Sequence, residues 1–329
     1  MRVGVIGAGA VGGAIAALLA RAGHDVEVTA RGAHLAAITE GGIRLAGAWG
    51  DYTAPVLAGE KLSRAPELVI LATKAQDAVA ALRENQAQLR GIPVVVVQNG
   101  LDGIDNAARS APRSDIVGAL AAFASSYLSP GQITVTAPGT LYLGAREPAN
   151  DVPARYAMAV LRDALPVELV ANFVGAQWTK LVINQVNALP AITGLSVQQV
   201  VGNRGLRRVM TASMRECVRI GLASRIRFER LQGLGHGGLR LFSIAPLWVG
   251  QLLPMLMASR MGAVPNPGST LQSVRRGQLT EIDYLNGSVV RAAAAIDRVA
   301  PINAALVDMV HEVETSGAFL PPEAVRARV

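Results

Sequence analysis

Hydrophobic and polar positions divide the chain near residue 172. Before it, short apolar runs recur between helical patterns. Residues 1–6, Asp25–Thr29, 67–73 and 93–98 each read as a strand, and the last two are continuously apolar between their ends, as buried parallel strands are. Residues 14–22 are rich in alanine and leucine with helical periodicity. Residues 131–136 and 140–144 alternate and are split by Ala137, Pro138 and Gly139, which predicts a hairpin added to the sheet edge. Residues 156–165 read as a helix and 167–170 as a last strand. After Asn172 strands are hard to find. The pattern therefore predicts an α/β chain: a Rossmann-type doubly wound sheet over residues 1–171 and a helical domain over 172–329.

The first strand runs into Gly7, Ala8, Gly9, Ala10, Val11 and Gly12, and a helix follows at once. Strand, glycine turn and helix in that order suit a dinucleotide. Gly7 permits the tight turn, Gly9 lets backbone approach a pyrophosphate, and Gly12 lets helix and strand pack closely. The N–H groups of the helix start then face the phosphate charge. Sites for NAD place a carboxylate at the tip of the second strand. Here the tip reads Thr29, Ala30, Arg31, with no carboxylate and one arginine. A guanidinium holds a 2′-phosphate that a carboxylate would repel, so the expected cofactor is NADPH/NADP. Lys74 and Asn99 follow the two buried strands, at the carboxyl ends where ligands bind in open parallel sheets.

In the second half, residues 178–188 read as one helix. Lys180, Asn184 and Asn187 fall at i, i+4 and i+7, a donor-rich stripe on an otherwise apolar helix. A lysine in a partly closed apolar site can have its pKa lowered toward the range useful for acid catalysis. A second cluster runs from Asn266 through Ser269 to Glu281. Ser269 with Gln272 three residues on predicts a capping box. In one straight helix Ser269 and Glu281 would stand about 18 Å apart. A break is therefore expected near Gly277, with a new start at Thr280 that puts Glu281 at a helix N-terminus.

Composition narrows the function. The chain has 329 residues, is 51% hydrophobic and 17% charged, and has only 4% aromatics. So few stacking side chains argue against single-strand nucleic-acid binding. The net charge of +7 comes from scattered arginines with no block of like charge, which points to small anions. One cysteine, Cys217, excludes an intrachain disulfide, and four histidines without ligand spacing give no reason to expect a metal. The start has no signal-peptide layout, so a cytoplasmic protein is expected. Residues 244–261 are the most apolar long stretch, but Pro246, Gly250, Gln251 and Pro254 interrupt it. It is expected to be buried packing or a subunit interface.

Taken together, the glycine turn, Lys74 at a strand end, Gln98-Asn99-Gly100, the run from Trp178 through Lys180 to Asn184, and the run from Thr280 through Glu281 to Gly287 resemble the ketopantoate reductase (2-dehydropantoate 2-reductase) family. The match runs in order to about Asn303. The resemblance implies reduction of 2-dehydropantoate to pantoate by NADPH, on the route to pantothenate and coenzyme A. It also implies an all-α C-terminal domain like that of 6-phosphogluconate dehydrogenases, serving substrate binding or a homodimer. By position, Lys180 matches the family's proton donor and Glu281 its carboxylate at cofactor and substrate. Asn99 and Asn184 match substrate-contacting amides, Ser269 a carboxylate-binding serine with Asn266 beside it, and Lys74 a cofactor-contacting lysine. Two positions depart. The family usually has an asparagine where this chain has Ala188, and commonly an aspartate near Ser273; both would alter the substrate wall. Residues 228–263 are longer than in compact members. The readings left open are a reductase of another 2-oxo acid, a reductase of a C=N bond, and an NADP(H)-binding sensor without turnover. The last has no use for Lys180 and Glu281.

Overall fold

The computed structural model describes residues 1–146, 149–262 and 264–329. Ala263, the far end of the 228–263 stretch, lies outside the described residues. The chain forms two compact units, Met1–Phe173 and Val174–Val329.

Among the described residues the first unit has two sheets. The strands are β1 (Arg2–Ile6), β2 (Asp25–Thr29), β3 (Ile43–Gly47), β4 (Tyr52–Ala54), β5 (Leu57–Gly59), β6 (Leu68–Leu71), β7 (Val94–Val97), β8 (Ile116–Ala121), β9 (Ala124–Ser129), β10 (Gln132–Ala137), β11 (Leu141–Ala145) and β12 (Val167–Leu169). The larger sheet has the order β12-β11-β8-β7-β6-β1-β2-β5 and is parallel from β5 to β8; β11 runs antiparallel to β8. The order reverses at β1, with β2 on one side and β6 on the other, so the switch point lies where the glycine turn begins. The helices of this unit are α1 (Ala10–Arg21), α2 (Gly32–Gly41), α3 (Ala78–Glu84), α4 (Gly103–Ser110) and α5 (Val152–Leu161).

The smaller sheet, β4-β3-β10-β9, was not legible as such in the sequence. It corrects one expectation: residues 131–136 and 140–144 are not a hairpin. β10 joins the small sheet, antiparallel to β9 and parallel to β3, whereas β11 crosses into the large one beside β8. The small sheet packs on α1, so α1 is enclosed by a sheet on either side. That explains its composition. Ala14 to Leu19 are all 1% exposed or less, and a helix apolar all round is a buried helix. Gly13 leaves room for Ile133 of β10, whose Cγ1 would lie 2.9 Å from an added Cβ.

The second unit is helical, with a 3-10 turn at residues 185–187 and another at 282–284. Its elements are α6 (Phe173–Asn184), α7 (Ala188–Thr193), α8 (Val197–Gly202), α9 (Arg204–Ala223), α10 (His236–Ile244), α11 (Leu247–Gly250), α12 (Leu252–Arg260), α13 (Gly268–Arg275), α14 (Asn286–Ala294), α15 (Pro301–Ser316) and α16 (Pro322–Ala327). Among the described residues no helix is long and apolar enough to cross a membrane. Its core holds a polar network rather than hydrocarbon alone. Gln185, Ser213, Asn286 and Asn303 are all fully buried. Gln185 Oε1 accepts from Ser213 Oγ at 2.7 Å and from Asn286 Nδ2 at 2.8 Å. Asn286 Nδ2 also reaches Asn303 Oδ1 at 2.9 Å, and Asn303 Nδ2 donates to Glu216 at 2.7 Å. Glu216 in turn accepts the N–H groups of Ile302 and Asn303, at the start of α15. Four elements are thus fixed in register by groups that water cannot rescue. Replacing Gln185 with leucine removes the acceptor that Ser213 and Asn286 share and leaves both to crowd onto Asn303 Oδ1, and we expect the helical unit to lose about 1–3 kcal/mol in urea unfolding. A loss within error would show that the network is satisfied some other way.

Candidate active site

The glycine turn is built as its spacing requires. Gly7 has φ +96°, a conformation open to glycine at little cost, and an added Cβ would lie 2.8 Å from Thr73 Cγ2. A Cβ on Gly12 would collide with the Gly7 carbonyl and sit 2.9 Å from Ala72 Cβ, so this residue sets how closely α1 meets the turn. Gly9, by contrast, faces open space: nothing lies within 4 Å of a Cβ added there. The protein itself gives no reason for glycine at position 9, and an approaching phosphate group does. The residues present fit a dinucleotide.

Two side chains that the sequence left unassigned hold this turn. Thr29, at the end of β2, accepts the Gly7 N–H on its hydroxyl at 2.9 Å, and its carbonyl accepts the Ala8 N–H at 2.9 Å. His34 of α2 lies with Nε2 2.7 Å from the Ala8 carbonyl and accepts the Gly131 N–H on Nδ1 at 3.0 Å. Because Nδ1 accepts, Nε2 carries the proton and donates. No ligand spacing marked His34, because its partners are backbone groups. At the ends of β6 and β7, Thr73 Oγ1 and Gln98 Oε1 are buried without a hydrogen-bond partner. Lys74 and Asn99 follow directly, both half-buried; Lys74 caps a 3-10 turn of residues 75–77.

Arg31 caps α2 and is exposed, as expected, but the tip of β2 is not free of carboxylates. Glu84, the last residue of α3, places Oε2 2.6 Å from Arg31 Nη2. The carboxylate arrives from 53 positions along the chain, beyond the reach of any local motif.

In the second unit the expected single helix over 178–188 breaks. α6 ends at Asn184, a 3-10 turn follows, and Ala188 opens α7. Lys180 sits in the last turns of α6, between buried Thr179 and Leu181. Burial draws its pKa from the usual 10.5 down to about 8. Asn184 and Asn187 are buried. Asn187 is not a substrate-facing amide on a helix stripe. Its Nδ2 donates to the Asn184 carbonyl at 3.1 Å and its Oδ1 accepts the Ser269 N–H at 3.3 Å. The expected capping box at Ser269 is absent for this reason: the N-cap of α13 is Pro267, and Asn187 and Asn266 take the first N–H groups instead. Gly268 has φ +71°, and its missing Cβ makes room for Asn187 Oδ1, 2.6 Å away. Ser269 is exposed, with Asn266 half-buried three residues before it.

The break expected near Gly277 is present. α13 stops at Arg275, Gly277 has φ +62°, and the Gly277 N–H returns to the Val274 carbonyl. Thr280 Oγ1 accepts the Ile282 N–H, and Glu281 caps the 3-10 turn of 282–284 rather than an α-helix. The two positions that depart from the family pattern, Ala188 and Ser273, are both buried here. Among the described residues no three His, Cys, Asp or Glu come together as metal ligands would.

The model of the family described as "Ketopantoate reductase PanE/ApbA" matches residues 3–148, and that of its C-terminal domain matches residues 172–314. This chain belongs to the ketopantoate reductase family. Members of that family are nicotinamide-dinucleotide oxidoreductases acting on a CH–OH group, and the chain is an enzyme of that kind. A 2-dehydropantoate 2-reductase of Pyrococcus abyssi is 25% identical over 92% of this chain and 94% of its own. The crystal structure of a PanE/ApbA family ketopantoate reductase from Ralstonia eutropha is 30% identical, with a TM-score of 0.81 over 96% of this chain and 99% of that one. A D-mandelate dehydrogenase solved with NADH and anilino(oxo)acetate shares the fold, with a TM-score of 0.82 over 96% and 99%, at 19% identity.

Gly9 separates folding from binding. Its φ of −67° and ψ of −163° suit alanine. We expect Gly9→Ala to melt within a degree or so of the parent while its dinucleotide dissociation constant, by titration calorimetry, rises about tenfold or more. A variant that binds normally would show that the opening at Gly9 is not where the phosphates lie.

Proposed function

We propose that this enzyme reduces the C2 carbonyl of a small 2-oxo acid with NADPH, and that 2-dehydropantoate is its substrate. The first unit, near residues 1–171, holds the cofactor: Gly7 to Gly12 at the pyrophosphate, Arg31 at the 2′-phosphate, Lys74 and Asn99 at the strand ends. The second, near 172–329, holds the acid, with its carboxylate at Ser269 and Asn266 and its carbonyl at Lys180 and Asn184. When bound, the reduced nicotinamide supplies the hydride that adds to C2. As the carbonyl electrons move to oxygen, the Lys180 ammonium stabilises the growing charge and gives up a proton to it. The amine left behind takes a proton from water to reset the site. Glu281 orients the substrate hydroxyl or the Lys180 amine, and the asparagines fix geometry.

The observation that carries this reading is the half-buried Lys180, whose pKa of about 8 leaves it charged at neutral pH yet a far better acid than a solvated lysine. A proton donor must be protonated to act. The kcat/KM for reduction should therefore hold steady below about pH 8 and fall about tenfold per unit above it, and Lys180→Met should lose turnover by about 10²–10⁴ while still binding NADPH. Equal losses of turnover and cofactor affinity would remove the acid role.

A second reading, reduction of a different or bulkier 2-oxo acid, is favoured by Ala188 and Ser273, where the family commonly carries larger polar groups. Oxidation of NADPH across a panel of 2-oxo acids that includes 2-dehydropantoate decides between the two.

Cofactor choice turns on the pair at the β2 tip. A 2′-phosphate must compete with Glu84 for the Arg31 guanidinium, and an exposed pair of this kind is worth about 0.2–1 kcal/mol. We expect Glu84→Gln to tighten NADPH binding by about 1.5- to 5-fold without changing NADH, and Arg31→Ala to abolish the preference. A preference for NADH in the parent that survives Arg31→Ala would assign the enzyme to NAD.

A further inference from the structure

A trans peptide is planar, so its carbonyl and the N–H that follows point in opposite directions. Among the described residues every peptide bond is trans. Two such planes meet at the glycine turn. The Ala8 N–H is held by the Thr29 carbonyl at 2.9 Å, and the Gly7 carbonyl is accordingly turned the other way, against Gly12. The Ala8 carbonyl is held 2.7 Å from His34 Nε2, and the Gly9 N–H is accordingly turned away from α2. Among the described residues nothing accepts that N–H, and nothing lies within 4 Å of a Cβ added to Gly9. Thr29 belongs to β2 and is fixed by the sheet. His34 belongs to α2, of which only Ile38 is buried. The direction of the Gly9 N–H is therefore only as steady as the anchors of one imidazole.

Those anchors come from the small sheet. His34 Nδ1 accepts the Gly131 N–H at 3.0 Å, and the ring meets Tyr127 of β9 edge-on with centroids 4.6 Å apart. Gly131 lies between β9 and β10 and has φ +76°. A Cβ there would sit 3.2 Å from Ala37 Cβ, so glycine lets this turn close on α2 one helical turn beyond His34. The Gly131 carbonyl accepts the Arg44 N–H of β3 at 2.8 Å, which ties the turn into the sheet. The imidazole has to accept on one nitrogen and donate on the other, and it does both only as the neutral tautomer protonated at Nε2.

We propose that His34 is a positioning residue for the dinucleotide. Through the Ala8 carbonyl it aims the Gly9 N–H at a phosphate oxygen, and through its other nitrogen it draws the rigidity for this from the small sheet. The inference rests on the reading of the glycine turn as the pyrophosphate site. A backbone hydrogen bond to phosphate is charge-assisted, and it weakens steeply when misaligned. A donor free to swing has to be ordered as the ligand binds, which lowers affinity; one already aimed does not.

Titration of the full chain with NADPH and with NADH tests this, following whichever binds the parent more tightly. His34→Leu neither donates nor accepts, and its dissociation constant should rise about tenfold. His34→Gln carries a donor and an acceptor on one side chain and should return the affinity to within about threefold of the parent. Val135→Ala removes buried side chain from β10 away from the imidazole, so it should lower the melting temperature and leave the dissociation constant unchanged. Because His34 acts through the Gly9 peptide, His34→Leu and Gly9→Ala should not add: the double variant should bind about as weakly as the weaker single one. A His34→Leu enzyme that binds like the parent would overturn the proposal. So would a loss that glutamine does not restore, a loss that Val135→Ala reproduces, or full additivity with Gly9→Ala. Normal binding by His34→Leu beside weakened binding by Gly9→Ala would remove the role of His34 alone and leave the phosphate site standing. A parent that binds neither dinucleotide would remove both.

Discussion

The first unit depends on how closely α1 can approach the end of β1. The helix is pressed between two sheets, and at its start the distance is set by a residue with no Cβ, because a methyl group on Gly12 would occupy the space of the Gly7 carbonyl. Close packing on both sides removes every polar position from the middle of the helix, hence its run of alanine, isoleucine and leucine. The same compression aims the first N–H groups at a fixed point beyond the strand ends. Thr29 and His34 hold the turn from two neighbouring elements, so that point does not drift. The close packing at Gly12 and the open space at Gly9 thus lie within one turn of chain.

How much of this was legible in the sequence follows from the range of each interaction. The roles read for Gly7, Gly9 and Gly12 are local: an added Cβ meets neighbouring atoms at Gly7 and Gly12 and open space at Gly9. β1 and β2 and the stop near Gly277 were local too. The small sheet was not: β3 and β4 are five and three residues long, and alternation in residues 131–136 marks a strand without naming its partner. Proximity in sequence suggested β11 as that partner, and burial of the second face of α1 decided for β3 and β9 instead. Glu84 could not be foreseen at Arg31, because a strand-tip rule reads only the residues after the strand. Nor could the exposure of Leu241, Ile244, Trp248 and Leu252, in the stretch expected to be buried packing or an interface, since an apolar run looks the same whether it faces a core or the surface.

The helical unit shows the cost of partly desolvating a charge. Lys180 has an unfolded pKa near 10.5 and a folded one near 8, so the folded state binds fewer protons between those values. Stability therefore rises with pH through that window, and the penalty is fully present below it, where the desolvated ammonium is charged. The fully buried amide network of Gln185, Asn286 and Asn303 adjoins the same segment and is tied to α9 and α15, with Asn286 Oδ1 left without a hydrogen-bond partner. It offsets nothing electrostatically. Its contribution is register: it fixes the 3-10 turn that ends α6, and so the position of Lys180 and Asn184 on that helix.

That turn also decides what Asn187 can do. Along a continuous helix it would sit on the Lys180 face, one position before the asparagine that the family pattern expects. The break turns it away, and both ends of its amide are then used, one on the Asn184 carbonyl and one on the Ser269 N–H. An amide engaged at both ends has little to offer a ligand. At Ala188, where an asparagine would be buried and need partners of its own, the methyl group needs none. Asn187 therefore does not replace the missing amide; it ties the end of α6 to the start of α13.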